Sequence, residues 1–261
     1  MTTTIHKTAT GYEINGQKFF ATGALLAHWI PIVAINESGQ PFAALVPRET
    51  EGVNVINDWS GFGQRTTASG SVELKKVPVR EEYVVPIYQA FERPTAAGAI
   101  SQFIQAAVDA GIARGAIEET IQYVKKYSRP WIDSGLERAT DDPYTIASIG
   151  DLKIKLRAAE AVLDLAGDAI DQAIANTTEE HVNQATLLVA EAKVLTTEIA
   201  ILAANKLFEL SGTRSTLSEL NLDRHWRNAR THTLHDPVRW KYHIVGNYYL
   251  NGVQPPRHAW S

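Results

Sequence analysis

Residues 152–173, LKIKLRAAEAVLDLAGDAIDQA, contain the pattern that decides the fold class of this chain. Apolar side chains recur there at alternating steps of four and three residues, at Leu152, Leu156, Ala159, Leu163, Ala166, Ile170 and Ala173. This spacing places all of them on one face of a long α-helix, and such a face requires other helices packed against it. We therefore predict an antiparallel helical bundle that includes this segment.

A second long helix is predicted downstream. Thr177 followed by Glu180 fits a capping box at its start, and Gly212 is a suitable stop. Its main apolar stripe consists of Leu188, Ala192, Leu195, Ile199 and Leu202. A second stripe consists of Leu187, Ala190, Val194 and Ile201. Two stripes predict contacts on two sides, either at the centre of a bundle or at a subunit interface. A shorter helix is predicted from Pro237 to about Leu250.

The N-terminal part of the chain has the pattern of short strands. Asn15-Gly16 lies between the strand-like runs 11–14 and 17–20, and it predicts a hairpin because both turn residues tolerate positive φ angles. Further strand-like runs cover residues 29–35, 42–46, 53–56 and 71–79, and the first two of these flank a second turn. Strands this short and this closely spaced are typical of an antiparallel sheet or a small barrel.

Strands followed by helices, without alternation, define the predicted domain organisation. We predict an α+β multidomain chain, with an antiparallel β-sheet or barrel domain over residues 1–90 and an antiparallel four-helix-type bundle over residues 91–261. No Gly-x-Gly-x-x-Gly run follows a strand, so nothing in the sequence supports a Rossmann or P-loop nucleotide site.

Composition and charge exclude several classes of function. The 261 residues include 25 lysines and arginines against 29 aspartates and glutamates, so the net charge of −4 provides no basic surface for nucleic acids or anionic membranes. The absence of cysteine excludes disulfides, thiolate catalysis and cysteine-based metal sites. The first residues lack the basic and apolar regions of a secretory signal, and we expect a cytoplasmic protein.

The densest group of chemically active side chains is RNARTHTLHD, residues 227–236. His232 and His235 are three residues apart, so one helical turn would place both on the same face. The pair fits a metal site, an acid–base or ligand-positioning pair, or surface polarity. A metal would need a third ligand, and His225 and His243 do not complete a zinc spacing, so no metal is expected.

Two further segments have side chains suited to a cofactor. Residues 57–71, NDWSGFGQRTTASGS, combine glycines, hydroxyl groups and a tryptophan, which can hold a phosphate and stack on a flat ring. An ordinary polar turn would have a similar composition. Arg129 precedes Pro130 at a predicted helix end, where it would bind a phosphate or interact with the helix dipole.

Taken together, these motifs resemble the acyl-CoA dehydrogenase superfamily over essentially the whole chain. The matching runs are KFFATG (18–23), WSGFGQRTTASG (59–70), RPW (129–131), DPY (142–144) and RTHTLHDP (230–237). Within the superfamily, the chain is most similar to the flavin-dependent monooxygenase branch, which includes the dibenzothiophene monooxygenases and the SfnB-type sulfur-acquisition oxidoreductases.

The resemblance implies a monooxygenase that takes FMNH₂ from a separate flavin reductase. The flavin would react with O₂ to a C4a-hydroperoxyflavin, which oxygenates a small organosulfur substrate. Members of this branch are generally homotetramers in which a neighbouring subunit reaches each flavin. An acyl-CoA dehydrogenase-like oxidoreductase that uses FAD is the alternative, and a truncated, non-catalytic flavin-binding or oligomerisation fragment is a third possibility.

The resemblance also implies roles for individual residues. The matching cofactor-binding positions are Phe20, Thr22, Trp59, Ser69, Arg129 and Gly212. The first three correspond to positions around the flavin ring, and Arg129 corresponds to an arginine that reaches the phosphate across the subunit interface. His232 and His235 correspond to active-site histidines, and His235 is expected to stabilise or protonate the peroxyflavin.

The residues after His235 distinguish the two branches. Dehydrogenases commonly carry Tyr-Glu-Gly here, and the glutamate removes the α-proton of the thioester. The His235-Asp236-Pro237 run favours a monooxygenase, because an aspartate directly before a proline predicts a helix N-cap rather than a base.

Relatives of this kind carry a helical domain before the β domain, and that domain walls the substrate pocket. The first predicted strand begins within a few residues of Met1. We therefore expect that the chain is a fragment, that another chain supplies the domain, or that the chain binds flavin without turnover.

Overall fold

The computed structural model describes residues 2–258 and 260 of the chain. Two compact units, residues 1–93 and 94–261, each have their own core. The first unit contains the strands β1 (Thr4–Thr8), β2 (Gly11–Lys18), β3 (Trp29–Ile35), β4 (Pro41–Pro47), β5 (Val53–Ile56), β6 (Ser71–Val79) and β7 (Val84–Val85). The second contains the helices α1 (Ala97–Tyr127), α2 (Pro143–Ala175), α3 (Glu179–Ser211), α4 (Asp223–His232) and α5 (Arg239–Asn251). This order confirms the predicted α+β class.

The strands of the first unit form one sheet. Among the described residues its order is β5–β6–β2–β1–β3–β4–β7, and all neighbouring strands are antiparallel except β1 and β3. The sheet is therefore mixed, although the prediction specified only antiparallel strands. The predicted hairpin of β3 and β4 is confirmed. The buried apolar core includes Ile5, Ile14, Ile32, Val46, Val72 and Val77.

Asn15-Gly16 does not form the predicted hairpin turn, because both residues lie inside β2. The register of β2 against β6 shifts between Ile14 and Gly16, which marks a β-bulge, and Asn15 Oδ1 accepts a hydrogen bond from Lys76 N at 2.7 Å. The prediction was wrong because pairing with β1 and β6 on both sides outweighs the local turn preference of Asn-Gly. The first hairpin turn connects Thr8 to Gly11.

The helix α3 lies at the centre of the second unit. It packs against α1, α2, α4 and α5. Its second stripe faces α5, because Tyr249 Oη donates to Glu191 Oε1 at 3.2 Å and Tyr242 Oη donates to Glu198 on the same helical face. This central position accounts for both predicted stripes within one chain. The predicted bundle consists of three long helices, α1 to α3, and the shorter α4 and α5.

The two ends of α3 can be compared with the predicted start and stop of this helix. Gly212, with a φ angle of 75°, follows the last residue of α3, which confirms the predicted stop. The predicted capping box was wrong by one residue: Thr178 is the N-cap and accepts from His181 N at 3.2 Å, whereas Thr177 Oγ1 donates to Ala173 O. Across the described part of the chain, no helix is both long enough and apolar enough to span a membrane.

Candidate functional site

Two aromatic side chains form an exposed corner at the end of β2. The ring of Phe20 is 75% exposed and meets the indole of Trp59 edge to face, with centroids 6.1 Å apart. Trp59 Nε1 donates a hydrogen bond to Gln64 O at 2.9 Å, which holds the indole in place. Phe20, Gln64 and Ala68 have positive φ angles of 55°, 51° and 47°. Such backbone strain in non-glycine residues is common at ligand-binding sites.

A chain of hydroxyl groups lies beside these rings. Ser69 Oγ is 2.7 Å from Thr22 Oγ1 and 2.7 Å from Thr67 Oγ1, and Thr67 Oγ1 donates to Gln64 O at 2.8 Å. The loop is anchored by Asp58, whose carboxylate accepts from both Ser71 N and Ser71 Oγ at 2.8 Å. These two hydrogen bonds lower the pKa of Asp58. The structure thus brings together four of the predicted cofactor residues, all in the first unit.

The other two predicted cofactor residues line one cleft of the helical unit. Arg129 and Gly212 border a cleft of about 620 Å³ between the end of α1 and the end of α3. Ser128 Oγ donates to Leu210 O at 3.3 Å and joins these two ends. The Arg129 guanidinium is exposed, and no ion-pair partner for it is found among residues 2–258 and 260. A concave surface with an unpaired guanidinium is suited to an anionic group.

Sequence reasoning missed two polar residues of this cleft. Ser211 Oγ is buried and has no hydrogen-bond partner within the described residues. Arg214 lies over the ring of Tyr127, with its guanidinium carbon 6.0 Å from the ring centroid. The run Ser211-Gly212-Thr213-Arg214 directly after a predicted helix end was the signal that could have identified both residues. Together with Arg129, they place two positive charges and an unsatisfied hydroxyl group in one cleft.

The structure brings His232 and His235 together, although not on one helical face. The helix α4 ends at His232, and the following turn returns the His235 ring to within 4.9 Å of the His232 ring, centroid to centroid. His235 Nδ1 is 3.0 Å from the main-chain oxygen of His232. A carbonyl oxygen only accepts, so His235 Nδ1 carries a proton in this hydrogen bond and Nε2 is left outside it. His232 is buried, whereas His235 is exposed.

A buried charged cluster that the sequence analysis did not identify lies against His232. Asp109 Oδ1 is 2.6 Å from His232 Nδ1, and Asp109 Oδ2 is 2.9 Å from Lys193 Nζ. Thr197 Oγ1 donates to the same Oδ2 at 3.1 Å. Burial by itself would raise the pKa of Asp109, but the hydrogen bond from His232 and the charge of Lys193 outweigh burial and lower it. Asp109 is therefore an ionised carboxylate inside the protein.

Asp236 does not cap a helix, so this expectation was wrong. The helix α5 begins at Arg239 with Val238 as its N-cap, and no side chain caps its amides. Asp236 lies two residues before the N-cap position, and its Oδ2 lies 3.8 Å from the buried Lys241 Nζ. Burial lowers the pKa of Lys241, and the nearby charge of Asp236 opposes this effect.

Comparisons with known proteins identify the family of this chain and several of its relatives. Residues 103–240 match the family described as "Acyl-CoA dehydrogenase, C-terminal domain". The chain is 37% identical to the dibenzothiophene monooxygenase of Mycolicibacterium goodii, over 94% of this chain and 63% of that protein. It is 34% identical to the probable FMNH₂-dependent monooxygenase SfnC of Pseudomonas putida, over 97% of this chain and 66% of that protein.

The fold also matches solved structures. The FMN-bound structure of TdsC from Paenibacillus sp. A11-2 superposes with a TM-score of 0.95 at 35% identity, covering 99% of this chain and 69% of that one. The chain therefore has the fold of TdsC, but it spans less than two thirds of the length of the curated relatives that it matches.

Proposed function

The chain belongs to the acyl-CoA dehydrogenase family, and from this premise we propose that it is the β-domain and C-terminal helical part of a reduced-flavin-dependent monooxygenase. The substrate class that we propose is a small organosulfur compound, because relatives named dibenzothiophene monooxygenase match nearly the whole chain. The two compact units would be the middle β domain and the C-terminal bundle domain of such an enzyme.

One observation carries the choice of a monooxygenase over a dehydrogenase. A dehydrogenase needs a free carboxylate base, but the only carboxylate next to the histidine pair in sequence, Asp236, faces the buried ammonium of Lys241. His235, in contrast, is exposed, and its Nδ1 is held by a carbonyl, so that Nε2 is left to exchange a proton. Imidazole can donate or accept near neutral pH, which suits proton transfer to and from oxygen.

The residues present fit FMN as the cofactor. Phe20 and Trp59 offer an exposed aromatic corner for a flat ring, and the hydroxyl groups of Thr22 and Ser69 can bind the polar edge of the ring or its phosphate arm. The cleft with Arg129, Gly212 and the unpartnered Ser211 Oγ suits a phosphate that a neighbouring subunit contributes. When bound, reduced FMN supplies the two electrons for splitting O₂, with one oxygen atom going to sulfur and the other to water.

The contributions of the protein follow from these positions. The aromatic corner would orient the ring, and the cationic cleft of a neighbouring subunit would bind the phosphate. His235 Nε2, which is free of the bond made by Nδ1, would take up a proton from solvent and deliver it to the oxygen atom that leaves as water. His232 supports this residue by accepting the His235 Nδ1–H on its main-chain carbonyl.

The assembled enzyme would be a cytoplasmic homotetramer served by a flavin reductase. Arg129 and Ser211 lie at helix ends of the second unit, where they would reach the flavin of a neighbouring subunit. A reductase has to supply FMNH₂, because nothing in the proposed reaction regenerates the reduced flavin.

The proposal is tested by combining flavin binding with product analysis. In equilibrium titrations, reduced FMN should bind more tightly than oxidised FMN, and FMN more tightly than FAD. Photoreduced FMN, O₂ and dibenzothiophene are then supplied to a chimera that adds the unmatched N-terminal region of the M. goodii relative to this chain. Formation of dibenzothiophene sulfoxide supports the proposal. A chimera that binds FMN but only releases hydrogen peroxide would contradict it, and FAD binding at least as tight as FMN would favour the dehydrogenase alternative.

A further inference from the structure

A buried carboxylate lies directly behind the histidine pair. Asp109 and Lys193 are fully buried and His232 is only 6% exposed. The Asp109 carboxylate receives one hydrogen bond on Oδ1, from His232, and two on Oδ2, from Lys193 and Thr197. Residues from α1, α3 and the end of α4 therefore converge on one buried carboxylate, and the buried Lys241 lies close enough to Lys193 for the two charges to interact.

The two oxygens of Asp109 have different partners, and this difference determines where the protons lie. The Lys193 ammonium has no lone pair and can only donate, so the side-chain atom of residue 109 that contacts it has to be a hydrogen-bond acceptor. The ionised carboxylate is also only an acceptor on its other oxygen. His232 Nδ1, 2.6 Å from Oδ1, therefore has to be the donor.

We propose that Asp109 is a positioning residue that, held by Lys193 and Thr197, keeps the His232 proton on Nδ1 and leaves Nε2 free to accept a proton. The His232 main-chain oxygen meanwhile accepts from His235 Nδ1 at 3.0 Å. Both rings, 4.9 Å apart, thereby carry a proton on Nδ1, which leaves both Nε2 atoms outside these hydrogen bonds. Only the use of these two atoms in oxygen transfer depends on the proposed function. The tautomers themselves do not.

The substitution Asp109→Asn makes the inference testable because the side chain keeps its size while one of its two hydrogen-bond acceptors becomes a donor. The amide oxygen has to face Lys193, which can only donate, and the amide NH₂ group is then turned toward His232. Since NH₂ donates, His232 Nδ1 has to accept, and the proton moves to Nε2. The equivalent change beside the catalytic histidine of serine proteases leaves the geometry intact and lowers kcat about 10⁴-fold through the wrong tautomer.

The experiment is a long-range ¹H–¹⁵N correlation spectrum of the imidazoles in the ¹⁵N-labelled full chain. The chain has eight histidines, and the variants His232→Gln and His235→Gln assign the two relevant signals. We expect Nδ1 to be the protonated nitrogen of both rings in the natural sequence. In Asp109→Asn, His232 should switch to protonated Nε2, while His235 stays unchanged. In Thr197→Val, which leaves the carboxylate in place, His232 should keep its Nδ1 proton.

Two results would overturn the assignment: a His232 proton on Nε2 in the natural sequence, or no switch in a folded Asp109→Asn variant. The first needs no variant and so decides the question even if Asp109→Asn fails to fold. In the chimera described above, Asp109→Asn should lower sulfoxide formed per FMNH₂ oxidised by about 10²-fold. The matched control Thr186→Val removes a buried hydroxyl of α3 that donates to Val182 O within the same helix, and it should leave the yield unchanged. If the unsubstituted chimera makes no sulfoxide, the proposed function fails and the tautomer assignment is still decided by the spectra.

Discussion

The substitution Lys193→Met should destabilise the helical unit far more than an ordinary lysine substitution. Lys193 Nζ and Asp109 Oδ2 are 2.9 Å apart, and both side chains are at most 1% exposed. Methionine has nearly the same length as the lysine stem, so little cavity forms, and the main effect is an aspartate that loses its buried counter-charge.

The expected loss in unfolding free energy depends on the hydrogen bonds that Asp109 keeps in Lys193→Met. Removing one partner of a buried ion pair costs roughly 3–5 kcal/mol, because the other charge remains desolvated. Asp109 keeps its hydrogen bonds with His232 and Thr197, so we expect the lower end of this range. About 3 kcal/mol corresponds to more than a hundredfold change in the unfolding equilibrium constant.

Urea unfolding followed by circular dichroism at a helix-sensitive wavelength measures this change. The matched control is Lys155→Met on α2, where the pair with Asp151 is about half exposed on both sides. Such surface pairs contribute only about 0.3–0.5 kcal/mol. If Lys193→Met and Lys155→Met shift the free energy of unfolding equally, the buried pair does not stabilise this unit and the reasoning is refuted.

Further predictions concern the cofactor, the reaction, pH and assembly. Arg129→Ala should weaken FMN binding about 10–100-fold, since a hydrogen bond to a charged group contributes about 1.5–3 kcal/mol, and Arg129→Lys should restore part of it; equal affinities by fluorescence titration would remove Arg129 from the site. In the chimera, His235→Ala should divert reduced flavin to hydrogen peroxide and lower the sulfoxide yield about 10²–10³-fold, whereas Asp236→Asn should change it little; the reverse order would indicate a dehydrogenase-type base. Because the pKa of Asp109 is lowered in the folded protein, its stabilising effect is complete above the ordinary aspartate pKa near 3.8 and is lost as the pH falls from there through the lower pKa of the folded state, so the unfolding free energies of the natural sequence and Asp109→Asn should converge as the pH falls below about 3.8. Light scattering at micromolar concentration should show a dimer or tetramer, and a stable monomer would contradict the proposed assembly.

Local signals predicted the secondary structure well. The stripe from Leu152 to Ala173 lies in α2, and the runs 53–56 and 71–79 coincide with β5 and β6. These predictions succeed because the period of a helix or strand depends on residues within a turn or two of each other. The motifs also identified residues that the structure brings together, such as Thr22 with Ser69 and His232 with His235.

Two predictions from local sequence were wrong because the residues form contacts with other partners instead of the expected local ones. Asn15-Gly16 is a turn sequence, yet hydrogen bonds from strands on both sides make it a bulge. Asp236 precedes a proline and a helix, yet its carboxylate faces Lys241 rather than the helix amides. In both cases the local preference is about 1 kcal/mol or less, which tertiary contacts readily outweigh.

The sequence by itself therefore determined the order of strands and helices, the apolar faces that pack them, and the motif residues of the candidate site. The tertiary structure alone decided which charges meet. Asp109 and Lys193 are 84 residues apart, and Asp109 and His232 are 123 residues apart. Each is an unremarkable polar residue on its own helix until packing removes water from all three. Burial alone would favour a protonated aspartate, and it is the contacts with His232 and Lys193 that keep Asp109 ionised and so able to set the tautomer of a histidine.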